Sequence, residues 1–131
     1  MVRYGRIPVL IVDDEPSIHQ LLGRLFGWHR IPTLHASSFA TALDLASRHA
    51  ISAMVLDLRL QAAESGLDLL RWLRASPAYR QLPVCIFTGS VTLNEDEEAA
   101  VTYHDAEVFF KGKDLNRLVE RIAAAATHRA A

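Results

Sequence analysis

Five polar residues stand where short apolar runs end. Asp13 and Asp14 follow Val9-Leu10-Ile11-Val12, and Asp57 follows Met54-Val55-Leu56. Thr88 follows Val84-Cys85-Ile86-Phe87, and Lys111 follows Val108-Phe109-Phe110. Acid, hydroxyl and ammonium are the groups that work on a phosphate. Two like charges about 4 Å apart repel by about 4 kcal/mol at an effective dielectric near 20. Three acids gathered in one place therefore raise each other's pKa or attract a cation. A hard divalent ion with oxygen ligands fits, and magnesium (Mg2+) uses one or two carboxylates and leaves positions for phosphate oxygens. Asp57 could then act as a nucleophile, since carboxylates form aspartyl phosphates. Thr88 could donate to a phosphoryl oxygen, and Lys111 could pair with Asp57 at rest and with the phosphoryl group afterwards. That is phosphoryl transfer by positioning and charge neutralisation. Singly, each residue has a plainer role: helix start for Asp13-Asp14, turn for Asp57 and Thr88-Gly89, solvated loop for Lys111-Gly112. It is the ordered set that favours the chemistry.

The elements that would position these groups alternate. Ile7 to Val12 reads as a buried strand, and Asp14, Glu15 and Pro16 open a helix carrying Ile18, Leu21, Leu22, Leu25 and Phe26 at helical spacing. Thr33 to Ala36 is a short strand. Ser37 or Ser38 caps a helix reaching about His49. Ala53 to Leu56 is a third strand, and Ser65 with Asp68 resembles a capping box before Leu67, Leu69, Leu70 and Leu73. Val84 to Phe87 is a fourth strand. Asn94 caps a helix whose first turn is Glu95, Asp96, Glu97 and Glu98. Val108 to Phe110 is a fifth strand, and Leu115, Leu118, Val119 and Ile122 line a last helix. Five such units predict an α/β fold: a flavodoxin-like, doubly wound, five-stranded parallel sheet of order 2-1-3-4-5 with five helices, right-handed crossovers and a switch point between the first and third strands. Those two strands deliver Asp13, Asp14 and Asp57 to one crevice.

Composition narrows the class. In 131 residues, 14 Lys+Arg stand against 15 Asp+Glu, with no basic stripe, which argues against direct nucleic-acid binding. No apolar run approaches the roughly 18 residues of a membrane span, and Met1 to Pro8 lacks the features of a signal peptide. A soluble, cytoplasmic protein without membrane association is expected. Cys85 reads as a small buried hydrophobe. The six histidines show no metal-ligand spacing and read as surface or satisfied positions. Trp28 and Trp72 read as packing residues.

The ordered motifs resemble those of the receiver domains of two-component response regulators. Ile11-Val12-Asp13-Asp14-Glu15-Pro16 is similar to that family's acidic pair, and Val55-Leu56-Asp57-Leu58-Arg59-Leu60 to its phosphoacceptor strand. Thr88-Gly89-Ser90 and Phe109-Phe110-Lys111 resemble its hydroxyl and lysine motifs, and Gly66-Leu67-Asp68-Leu69-Leu70 the start of its third helix. The resemblance implies a single receiver domain over residues 1–131, core about 7–126, with no output domain in this chain. It implies a module that accepts phosphate on Asp57 from a sensor histidine kinase or histidine phosphotransfer protein, switches partner binding, and is not a turnover enzyme. It also implies magnesium held directly by Asp14, Asp57 and the backbone carbonyl of Arg59, with Asp13 acting through water.

The chain departs from the family's pattern at three places. Gly112 follows Lys111 where proline, often after a cis bond, is usual. A cis bond costs about 2.5–4 kcal/mol before residues other than proline, so a trans peptide and a looser loop are expected. Val108 stands where the family's aromatic switch residue lies, so activation is expected to rely on Thr88 and the loop from Gly89 to Asn94. Gln61 replaces a usual proline, and Ala62-Ala63-Glu64-Ser65 lengthens the loop after Asp57. Two other classes are weighed. An aspartate-dependent phosphohydrolase of the haloacid dehalogenase type wants a second Asp where Arg59 stands. A flavin-binding flavodoxin wants a phosphate-cradling loop where Asp13-Asp14-Glu15 would repel the phosphate.

Overall fold

The computed structural model describes residues 6–60 and 65–128, with side chains to 126. Its elements run β1 (Val9–Val12), α1 (Pro16–Trp28), β2 (Thr33–Ala36), α2 (Phe39–Arg48), β3 (Ala53–Leu56), α3 (Gly66–Ala75), β4 (Val84–Thr88), α4 (Glu95–Tyr103), β5 (Glu107–Phe110) and α5 (Leu115–His128). All strand pairings are parallel, in the order β2-β1-β3-β4-β5 expected from the alternation.

The period-2 alternation of the central strands divides the core into two layers. Leu10, Val12, Met54, Leu56, Val84 and Ile86 face one layer, closed by α2, α3 and α4 through Ala42, Ala46, Leu69, Leu70, Leu73 and Val101. Val9, Ile11, Ala53, Val55, Cys85, Phe87 and Phe109 face the other, closed by α1 and α5 through Leu22, Phe26, Leu118 and Ile122. Both faces of β1, β3 and β4 are thus dry, which is why these strands read as unbroken apolar runs. Burial pushes the Cys85 thiol up to about 12, in keeping with a packing role.

The helix starts follow local chemistry. The Ser38 hydroxyl accepts from Thr41 N–H, which decides between the two candidate serines. Ser65/Asp68 and Asn94/Glu97 both form reciprocal capping boxes. Pro16 occupies the first position of α1, but no side chain caps that helix; instead Asp13 accepts from Glu15 N–H at 2.9 Å. Three strand ends move, and one of these is the start of β5, at Glu107 rather than Val108. β1 begins at Val9 rather than Ile7, since Pro8 has no N–H to contribute to the ladder. β4 runs on to Thr88 and pairs it with Phe110.

Two readings need correction. Trp28 is 73% exposed at the end of α1 and packs into neither layer, and Trp72 is 40% exposed with its ring tilted against Tyr79 at 5.8 Å. Trp28 lies two residues past buried Phe26, about 200° round the helix, and so points away from the core. Gln61 to Glu64, the lengthened loop, lie outside the described residues.

Candidate functional site

The ladder registers bring the polar residues to one edge. Val12 is level with Leu56, so Asp13 and Asp57 leave adjacent strands side by side; Asp57 N–H donates to the Val12 carbonyl at 3.0 Å. Thr88 is level with Phe110, so Lys111 follows it directly and donates its backbone N–H to the Thr88 carbonyl at 2.9 Å. This edge is the carboxyl end of the sheet, at the switch point between β1 and β3.

One oxygen from each of Asp13, Asp14 and Asp57 lies within 4.8 Å of the others. Asp13 and Asp57 are buried at 2% and 4% exposure, while Asp14 is half-buried. Lys111 Nζ sits 2.9 Å from Asp13, 3.2 Å from Asp57 and 3.2 Å from Glu15. Burial pushes the Asp13 carboxyl above its usual range, against the opposing pull of Lys111. Burial also pulls the Lys111 ammonium down, but hydrogen bonding to Asp13 and the charges of Asp57 and Asp13 raise it well above the usual lysine value. The ammonium is thus a fixed cation among acids it only partly offsets.

The Asp57 carboxylate is also held from its own chain, since Arg59 N–H donates to it at 3.0 Å. Thr88 is fully buried, and its hydroxyl oxygen accepts from Ser90 N–H at 3.4 Å. Asp14, Glu15, Asp57, Arg59, Gly89, Ser90 and Lys111 line an open cleft of about 350 Å³. A larger hollow of about 650 Å³ lies far from the carboxylates, between the end of α2 and the segment before β4.

The protein matches the response regulator receiver domain profile over residues 9–123. The chain belongs to that family. It is 32% identical over 121 residues, 92% of its length, to the response regulator protein PilR of Pseudomonas aeruginosa, and spans 26% of that protein's length. It is 31% identical over 89 residues to the polar-differentiation response regulator DivK of Brucella ovis, covering 68% of this chain and 72% of that one. A response regulator receiver protein from Pseudomonas putida superposes with a TM-score of 0.82 at 29% identity, covering 93% of this chain and 99% of that one. The Vibrio cholerae chemotaxis protein CheY4 shares the fold at a TM-score of 0.79 and 17% identity, covering 92% and 99%.

Within this receiver domain, several residues make contacts at the site that the sequence did not signal. Glu15 joins the Lys111 cluster. Gly66 abuts the segment that follows β3: a Cβ there would lie 2.0 Å from the Asp57 carbonyl oxygen. His19 and His35 form a relay behind Asp13. His19 Nε2 is 2.6 Å from the Asp13 carbonyl, His19 Nδ1 is 2.7 Å from His35 Nδ1, and Thr33 Oγ1 is 2.9 Å from His35 Nε2. All three contacts are satisfied if His19 donates to Asp13, His35 to His19, and Thr33 to His35. Burial, then the neighbouring His19, holds the His35 imidazole below its usual value. The reading of these two histidines as satisfied positions stands, with a structural task added: they brace the backbone of the acidic pair.

No peptide bond among the described residues is cis, so the bond before Gly112 is trans as expected. Gly112 has no positive φ, and a Cβ there would meet nothing within 4 Å. Val108 packs against the apolar layer without a ring, beside an open cleft of about 630 Å³ that it lines with Leu93, Val101 and Phe110. Among the described residues no helix is long and apolar enough to cross a membrane.

Proposed function

We propose that the chain is a phosphoacceptor switch that takes a phosphoryl group onto Asp57 from a phosphohistidine donor, a sensor kinase or a phosphotransfer protein. The observation that carries this reading is the convergence at one cleft of Asp57, the Asp13–Asp14 pair and the Lys111 ammonium 3.2 Å from the Asp57 carboxylate. An Asp57 oxygen attacks phosphorus, the O–P bond forms as the donor's N–P bond breaks, and the electron pair stays on the donor imidazole nitrogen, which takes up a proton. Lys111 holds the carboxylate before transfer and can neutralise the phosphoryl oxygens after it. Thr88 can donate its hydroxyl proton to one of those oxygens.

The donor set fits magnesium: three carboxylates, only partly offset by one ammonium, around oxygens that can share a hard ion. Asp14, Asp57 and the Arg59 carbonyl would hold it, and Asp13 would act through water. Bound there, the ion would neutralise phosphoryl charge. Asp14→Ala should therefore weaken magnesium binding by more than about 100-fold, and Asp13→Ala, acting through water, by about tenfold. Asp14→Ala should also raise the thermal midpoint of the metal-free protein by relieving repulsion, whereas Asp13→Ala should not, because it removes the acceptor of Glu15 N–H and the carboxylate nearest Lys111. Titration calorimetry that shows unchanged affinity in Asp14→Ala rules out direct ligation.

The phosphohydrolase reading has no support here. The position where it needs a second acid holds Arg59, whose guanidinium is committed to Glu97 and Ser90. A small phosphodonor plus magnesium should add one phosphate per chain by intact-mass spectrometry, mapped to Asp57. Multiple turnover without an adduct, or a label on another residue, would sink the assignment.

A further inference from the structure

The Arg59 side chain stands at the mouth of the cleft and is not used in the chemistry above. It lines the cleft beside Asp57, Gly89, Ser90 and Lys111. Its Nε donates to Ser90 Oγ at 2.9 Å, and its two terminal nitrogens grip the Glu97 carboxylate, one of them at 3.0 Å. Glu97 is nearly buried, with 10% of its side chain exposed, whereas Arg59 is 46% exposed. The hydrogen bond to Arg59 holds the Glu97 carboxyl below its usual range. Glu97 does two things at once, because the oxygen that accepts from Arg59 also accepts the Asn94 N–H that closes the α4 cap.

The pairing therefore links the chain two residues beyond the acceptor to the first turn of α4. It also keeps a second cation beside the acceptor but occupied. A carboxylate that becomes an acyl phosphate gains negative charge and three acceptor oxygens, and the planar guanidinium fork matches phosphate bidentately. Arg59 lines the same cleft as Asp57 and is exposed enough to turn. Resting on the phosphoacceptor reading, we infer that Arg59 is a second phosphoryl-binding cation, held by Glu97 and Ser90 until Asp57 is loaded. When it turns, Glu97 keeps its cap contact with Asn94 but loses its tie to the acceptor loop. The first turn of α4 is then released from the end of β3, which carries the signal away from the cleft.

Beryllium fluoride with magnesium, an unreactive mimic of the phosphoryl group, tests this on the full chain. Glu97→Gln removes the competing charge, yet glutamine at that position still accepts the cap hydrogen bond. Its affinity for the mimic should rise about fivefold, while Arg59→Gln should lose about tenfold, within the usual range of site coupling. In the double variant, Glu97→Gln should add nothing, because it acts only through Arg59. Amide exchange at residues 94–98 should quicken on loading in the wild type and stay unchanged in Arg59→Gln. Equal effects of Glu97→Gln with and without Arg59, or no effect of either variant, overturn the inference while Asp57 phosphorylation stands. A wild type that takes no phosphate from a small donor overturns both.

Discussion

Asp57→Asn should take no phosphate from any small donor, and should do so as a folded protein. The amide has the shape of the carboxylate but no anionic oxygen to attack phosphorus. What it leaves behind remains satisfied. Lys111 keeps Asp13 at 2.9 Å and Glu15 at 3.2 Å, and an amide oxygen can still accept from Arg59 N–H. Removing one of three crowded negative charges relieves repulsion, so the metal-free thermal midpoint should equal or exceed that of the wild type. Intact-mass spectrometry beside thermal denaturation separates the two effects. A phosphate adduct on the variant would place the acceptor elsewhere; lost labelling with a collapsed midpoint would show Asp57 to be structural.

The site was legible wherever chemistry and topology share one sequence signal. Each buried strand ends at its polar residue, and a parallel sheet puts all strand ends of one polarity on one edge, so Asp13, Asp57, Thr88 and Lys111 could be placed together from their positions in the chain. Caps were legible for a similar reason: Ser65 with Asp68 and Asn94 with Glu97 satisfy backbone donors three residues away. Contacts between distant segments were not. Arg59 and Glu97 are 38 residues apart, and the acidic start of α4 read as a favourable helix start and nothing more. The bracing of Asp13 by His19 and His35 depends on α1 crossing beside β2, which no spacing in the chain reveals. The exposure of Trp28 was likewise hidden. It lies three residues after Leu25 and seven after Leu21, beside the apolar stripe, so helical periodicity alone favoured packing; that the buried side of α1 is set by Leu22 and Phe26 emerges only from the tertiary structure.

Gly66→Ala should be the most damaging substitution of a single small residue. The glycine opens α3, and its N–H donates to the Leu58 carbonyl at 3.3 Å, which brings the helix start against the segment that carries Asp57. A methyl group there would lie 2.0 Å from the Asp57 carbonyl oxygen and 2.8 Å from the Leu58 Cα. These are backbone atoms and cannot rotate aside. No glycine among the described residues has a positive φ, so the requirement is for space and not for an unusual conformation. Either α3 retreats, or the backbone of Asp57 moves and carries the carboxylate away from Lys111. The cost should reach about 3 kcal/mol, the upper part of the overpacking range, and the thermal midpoint should fall by roughly 10 °C for a domain of this size. On the proposed reading, surviving protein should also accept phosphate slowly, because Asp57 is displaced. Gly112→Ala is the matching control. A Cβ there meets nothing within 4 Å, so its stability should hold or rise by about 0.4–1 kcal/mol through a less flexible unfolded chain. Thermal denaturation of both variants decides the matter: if Gly66→Ala melts with Gly112→Ala, the close approach of α3 to the Asp57 backbone is not what this glycine provides.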